Sequence, residues 1–214
     1  MMLTGFKRSN GKWGFRNHVL ILPLHQMLSA IAREIESTAP GCVAVSHDWA
    51  QLPEPDQDRI LHTLSGVPAN PNLFVTIALR IGTPIEDQLI AMAKAKGATN
   101  IIEVSLANEK TLNQLRDTTT KIALEQLTLA KEQPRLAAPI SAIVLGLECG
   151  GSDAYSGITA NPALGVASDK LIAEGATSIL AETMEILGAE HLLAKRAITR
   201  EVGQQIIDVV ARYE

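Results

Sequence analysis

Six short aliphatic runs, each followed by a longer stretch of mixed polarity, constrain this chain more than any other feature. The runs are His18 to Leu24, Cys42 to Ser46, Leu73 to Leu79, Asn100 to Ser105, Ser141 to Gly146 and Ser178 to Ala181. Most are continuously apolar rather than alternating, the pattern of strands covered on both faces. Between them, Leu28 to Ser37, Asp56 to Ser65, Ile85 to Lys96 and Thr111 to Lys131 place apolar residues at three- and four-residue spacing, as helices with one buried face do. A last helix is expected from about Thr199 to Tyr213.

Strand and helix in alternation predict βα units and a parallel sheet. The expected fold is α/β, a Rossmann-like (flavodoxin-like) three-layer sandwich around a mostly parallel sheet of about five or six strands. With 214 residues, 46% of them apolar, one domain over 1–214 can bury its own core. The proline-containing stretch 133–139 is short enough to be a connection within one domain, and is the place where a smaller C-terminal lobe could hinge.

A net charge of -4, with Lys and Arg scattered singly, argues against nucleic acid as a partner. No apolar run reaches the roughly 20 residues that cross a bilayer, and Met1 to Asn10 lacks a signal-peptide core, so a cytoplasmic chain is expected, with no membrane partner. Its two cysteines are read as thiols. Cys42, in an apolar strand, is a small buried hydrophobe; Cys149 lies in a glycine-rich loop where chemistry is more at home.

Ligands of open α/β sheets bind beyond the carboxyl ends of the strands. Three polar motifs fall there: Ser46-His47-Asp48-Trp49, Glu148-Cys149-Gly150-Gly151-Ser152-Asp153, and Glu182-Thr183-Met184-Glu185. The amides of Gly150, Gly151 and Ser152 suit an anion nest, with hydroxyls from Ser152, Ser156 and Thr159 nearby; the glycines alone equally suit a tight turn. Glu148, Cys149 and Asp153 put acid, thiol and acid within six residues, able to carry protons or bind a divalent metal. His47 and His191 are candidate ligands or bases, or structural histidines. Arg16-Asn17, ahead of the first strand, is either a carboxylate clamp or the polar edge of an N-terminal hairpin.

The run from Gly146 to Gly165, through Thr159 and Asn161 and on to Ala167-Ser168-Asp169, resembles the signature of the altronate and galactarate dehydratase family. Gly5-Phe6-Lys7-Arg8, Gly14-Phe15-Arg16-Asn17-His18 and the stretch from Glu182 to Ala197 are similar as well. The resemblance implies a hydro-lyase that dehydrates an aldonic or aldaric acid such as altronate or galactarate to a 2-keto-3-deoxy acid, with sulfolactate sulfo-lyase as a sister activity. It implies a divalent metal, iron or manganese, with His47, Cys149 and His191 as candidate ligands. Catalytic roles fall to Glu148, Cys149, Asp153 and Glu182, and substrate binding to Arg16, Asn17, Gly150, Gly151, Ser152, Thr159 and Asn161.

The chain resembles the central (second) domain of these enzymes. Members usually continue beyond the position of Glu214 and often carry a small domain ahead of Met1, so a homo-oligomer or a partner subunit supplying the C-terminal domain is expected. Family cysteine positions read here as Leu24-His25-Gln26-Met27, as Asp48-Trp49-Ala50 and as Leu79-Arg80-Ile81. The alternative is therefore a catalytically degenerate relative that binds a small acid or serves as a structural subunit.

Overall fold

Strand β3 (His18–Pro23) lies inside a four-stranded parallel sheet, flanked by β4 (Cys42–Ala44) and β5 (Leu73–Arg80), with β6 (Ile101–Ser105) outside β5. The computed structural model describes residues 3–47, 56–151 and 153–213. Ser152 and the motif residues Asp48, Trp49 and Ala50 lie outside them.

Alternation along β3 and β5 sends side chains to two faces. Val19, Ile21, Ile77 and Leu79 pack on one side with Leu28, with Ala32 and Ile35 of α1 (Ser29–Thr38), and with Leu115, Ala123 and Leu127 of α5 (Leu112–Glu132). Leu20, Leu22 and Ala78 pack on the other with Leu61 and Leu64 of α2 (Asp56–Gly66) and Leu89 and Ile90 of α3 (Pro84–Ala95). Helices thus cover both faces. A short helix, α4 (Leu106–Glu109), joins β6 to α5. The strand order β4-β3-β5-β6 reverses direction at β3, so the loops leaving β3 and β5 part at their carboxyl ends.

A small antiparallel sheet of β1 (Thr4–Lys7), β2 (Trp13–Gly14) and β7 (Leu136–Ala137) ties the N-terminus to the end of this region. Only glycine fits at Gly14, where a Cβ would meet the Pro71 carbonyl oxygen at 1.9 Å. Arg8 fastens the hairpin: its Nε donates to Pro71 O at 2.8 Å, and its Nη2 donates to both Arg16 O and Asn17 Oδ1.

The chain divides into two compact units, Met1–Ala138 and Pro139–Glu214, whose boundary falls in the 133–139 stretch, and the expected sheet of five or six strands is divided between them. Four of the six aliphatic runs form the large sheet. The other two form a separate parallel pair, β8 (Val144–Leu147) and β9 (Thr177–Leu180). They are connected through a π-helical turn (Ser156–Ala160) and α6 (Asn161–Ala173), and followed by α7 (Glu190–Ala194) and α8 (Arg200–Val210). Helix α6 lies on the strand pair, with Ser168 Oγ 2.7 Å from Ser178 Oγ. Gly203 lets α8 approach α7: its Cβ position is 2.9 Å from Ala194 O.

Candidate active site

The strands β8 and β9 run in register from Val144↔Thr177 to Leu147↔Leu180, so the loops after them leave the same edge side by side. Ala181 N donates to Leu147 O at 3.0 Å, which brings the start of the Glu182 loop against the start of the Glu148 loop. Glu182 takes a left-handed backbone conformation, φ 52°, ψ 76°, that a non-glycine residue rarely adopts. Its carbonyl closes a turn by accepting from Glu185 N at 3.0 Å.

This turn gathers acids. A hydrogen bond with the Glu185 carboxyl, then the Glu185 charge, some desolvation and the charge of Glu148 push the Glu182 carboxyl above the ordinary glutamate range. Neighbouring like charges disfavour the ionised carboxylate, which is why the Glu182 carboxyl is raised. The motif alone did not single out Glu185; its carboxyl reaches Glu182 through the left-handed turn, which no local sequence rule announces.

Asp153 works differently. Its Oδ1 accepts from Ser156 N at 2.8 Å and from Ser156 Oγ at 3.2 Å, and Ser156 Oγ lies 3.3 Å from the Asp153 amide. That reciprocal pairing caps the helix that begins at Ala154. The backbone and hydroxyl hydrogen bonds from Ser156, then the Tyr155 amide, hold the Asp153 carboxyl below the ordinary range. Thr159 Oγ1 donates to Tyr155 O at 2.8 Å, inside the same helix. Asn161 is exposed at the start of α6, Cys149 is half-buried, Glu148 is exposed, and His191 is exposed on α7.

Gly150 and Gly151 have nothing within 4 Å of a Cβ position, and neither has positive φ. Among the described residues, neither a positive φ nor crowding demands glycine at these two positions, so their backbone is open to close approach.

The remaining candidates belong to the N-terminal unit. His47 follows β4 and donates from Nε2 to Pro23 O at 2.8 Å, while Ser29 Oγ donates to His47 O. His25 caps the turn after β3, its Nδ1 accepting from Met27 N at 3.2 Å. Arg80 is bridged by Asp87 and Glu103, which raise its pKa. Behind it the buried Glu86 accepts from the amides of Ile81, Gly82 and Thr83 at 3.0, 2.8 and 2.8 Å. The loop after β5 is thereby locked by a carboxylate. Burial, with the charge of Glu36 second, pushes the Cys42 thiol up to about 11, as suits an inert core residue.

Arg16 and Asn17 precede β3 and so lie at the opposite edge of the parallel sheet from His47. The Asn17 amide is occupied by Arg8 and by Ala130 O, 2.7 Å from Nδ2. Among the described residues, no three His, Cys, Asp or Glu side chains converge on one ion position, so the donors present do not by themselves make a metal site.

The chain matches the model of the second domain of D-galactarate dehydratase/altronate hydrolase over residues 5–130, and that of the C-terminal domain of D-galactarate/altronate dehydratase over residues 140–214. It belongs to the D-galactarate/altronate dehydratase family. Among relatives, it is 33% identical to an altronate dehydratase of Bacillus subtilis over 96% of this chain and 44% of that protein. It is 30% identical to the (2R)-sulfolactate sulfo-lyase subunit beta of Chromohalobacter salexigens over 98% of this chain and 54% of that subunit. A galactarate dehydratase of Escherichia coli is 41% identical over 52% of the chain. The chain thus spans about half the length of the first two. Among the described residues, no helix is long and apolar enough to cross a membrane.

Proposed function

We propose that this chain is a sugar-acid dehydratase module, a carbon–oxygen lyase acting on an aldonic or aldaric acid such as altronate or galactarate, and that it works with further polypeptide corresponding to what its relatives have in addition. One observation carries this reading: the loops after β8 and β9 leave the same edge side by side, which brings Glu182, raised by the neighbouring carboxylates of Glu185 and Glu148, beside the unobstructed Gly150-Gly151 backbone.

Dehydration removes the proton from the carbon beside the substrate carboxylate and expels hydroxide from the next carbon. The electron pair of the broken C–H bond forms the double bond as the C–O bond breaks. Hydroxide departs readily only if it is protonated, and the resulting enol then becomes the 2-keto-3-deoxy acid. The raised Glu182 carboxyl, protonated where an ordinary glutamate is not, suits the acid. Glu148, on the neighbouring loop, suits the base. The amides of Gly150 and Gly151 are offered to the substrate carboxylate, whose developing enediolate such donors stabilise. Asp153 keeps the helix behind that loop in place. A divalent ion, iron or manganese, belongs to this reading only with ligands from outside the described residues.

The test is formation of 2-keto acid from a panel of aldonic and aldaric acids with ferrous or manganous ion. The purified chain is assayed alone and with the sequence of a relative that it does not cover. Turnover that falls sharply in Glu182→Gln supports the reading, and no 2-keto acid under any condition refutes it. A second reading, a degenerate relative that binds a small acid or serves as a structural subunit, is favoured by the loops after β3 and β5, where His25 and Arg80 are spent on local contacts.

A further inference from the structure

Within the N-terminal unit, a cavity of about 40 Å³ lies at the amino ends of the parallel strands. It opens between the β1–β2 hairpin, the stretch 68–76 that runs into β5, and the loop 97–100 that leads to β6. Open α/β sheets hold their ligands at the opposite, carboxyl edge. The volume takes one water-sized group or slightly more, too little for a sugar acid.

The lining offers donors rather than acceptors. Thr76 is 1% exposed, and its Oγ1 is buried with no hydrogen-bond partner among the described residues, whereas buried hydroxyls are normally satisfied. The carbonyls around it are already engaged. Pro71 O accepts from Arg8 Nε at 2.8 Å, Gly97 O from Asn10 Nδ2 at 3.1 Å and Phe74 O from Asn100 Nδ2 at 3.0 Å, while Asn100 O accepts from the Thr76 amide at 3.0 Å. A metal cation, which needs several free oxygens, is poorly served here.

Charge points the same way. Arg8 forms no ion pair among the described residues; the groups that accept its hydrogen bonds are all neutral, and burial lowers its pKa. It shares the Phe6 ring with Arg135, their Cζ atoms 5.6 and 4.9 Å from its centroid. The whole chain has 23 acids and a net charge of -4, yet residues 1–33, 60–85 and 88–102, which supply all of the cavity lining, contain no Asp or Glu. A half-buried cation with no carboxylate partner is stabilised by a counter-ion close to it.

We propose that this cavity binds one small monovalent inorganic anion, of the size of chloride, between the Arg8 guanidinium and the Thr76 hydroxyl. Arg8 supplies the charge and Thr76 Oγ1 donates the hydrogen bond. Because Arg8 sits on the hairpin and Thr76 on β5, the bound anion fastens one to the other, and the native state gains stability in its presence.

The test uses the full chain with halide as the probe. Crystals soaked in bromide, which takes the place of chloride and scatters anomalously, are expected to show one bromide in the cavity within hydrogen-bond distance of Thr76 Oγ1. In solution, chloride is exchanged at constant ionic strength for methanesulfonate, which is too large for the cavity. Chloride is expected to slow amide exchange in β3 and β5 saturably, about tenfold at about ten times its dissociation constant, as a ligand bound by the native state alone does. Thr76→Val keeps the side-chain shape without the hydroxyl and is expected to weaken chloride binding at least about tenfold, the worth of one hydrogen bond to a charged group. Arg8→Gln is expected to abolish the response; if that variant loses the hairpin, Thr76→Val decides alone. Water where bromide is expected, bromide in the crystal with no slowing in solution (an adventitious ion only), equal slowing by methanesulfonate, or an undiminished response in Thr76→Val would each overturn the proposal.

Discussion

The two units are built from the same alphabet of aliphatic strand and amphipathic helix, yet one is closed and the other open. In the N-terminal unit, Val19, Leu20, Ile21 and Leu22 are almost wholly inaccessible, and helices cover both faces of the sheet. In the C-terminal unit, the residues equivalent in kind, Val144, Ile179 and Leu180, face outward. The polar loops differ in the opposite sense. Those after β3 and β5 are satisfied by their own chain, through His25, Arg80 and Glu86. Those after β8 and β9 present clustered acids and bare glycine backbone. The buried apolar core is concentrated in one unit, and the neighbouring acid loops lie in the other.

The largest expected contrast is in core truncation. Leu20→Ala should cost about 2–5 kcal/mol, as buried leucines do. Ile179→Ala in the chain alone should change stability by no more than about 0.5 kcal/mol. Urea denaturation of both variants checks the difference, and equal losses would break the comparison.

Next comes the lock on the β5 loop. Glu86→Gln replaces an acceptor of three backbone amides with an amide nitrogen and one oxygen, so at least one buried N–H loses its partner. A loss of about 1–3 kcal/mol is expected in the same denaturation.

Smaller effects belong to the acid edge. Asp153→Ala should increase amide exchange in Ser156–Ala160 and leave β5 untouched, whereas Asp153→Asn, also a good cap, should preserve the turn. The Asp153 carboxyl is lowered in the fold, so its contribution is present above the unfolded pKa and is lost as pH falls through the folded one, below the ordinary carboxylate range. Glu182 has the opposite sign. Raised in the fold, it favours the native turn below the ordinary glutamate pKa, and that advantage is lost as pH rises through its folded value. Glu182→Gln should therefore flatten the pH dependence of exchange in Thr183–Ile186, measured from pH 4 to pH 8 (about the span over which a raised glutamate titrates).

The strands were legible in the sequence because fully covered strands are runs of aliphatic residues: His18–Pro23 and Leu73–Arg80 lie within a residue of where those runs begin and end. The small N-terminal sheet was harder to see, since β2 and β7 are two residues each and their pairing depends on Arg8 and on the close approach at Gly14. Helix α6 carries no clear apolar stripe, being interrupted by Pro162 and Gly165, and the helical turn that leads into it is capped by Asp153 and Ser156. The division of six strands into four and two left no trace in the pattern, because an aliphatic run reads alike whether its strand joins a large sheet or a two-stranded pair. For the site, the motif pointed to Glu148, Gly150, Gly151 and Glu182, but the approach of Glu185 to Glu182 depends on a left-handed turn that composition does not encode.

Hydrogen exchange of the unaccompanied chain tests the central contrast most directly. Amides of β3 and β5 should exchange only through global unfolding, while those of β8 and β9 should exchange faster by orders of magnitude through local opening. Equal protection in the two strand sets would contradict the account, because it would mean that the C-terminal unit already has a closed core of its own.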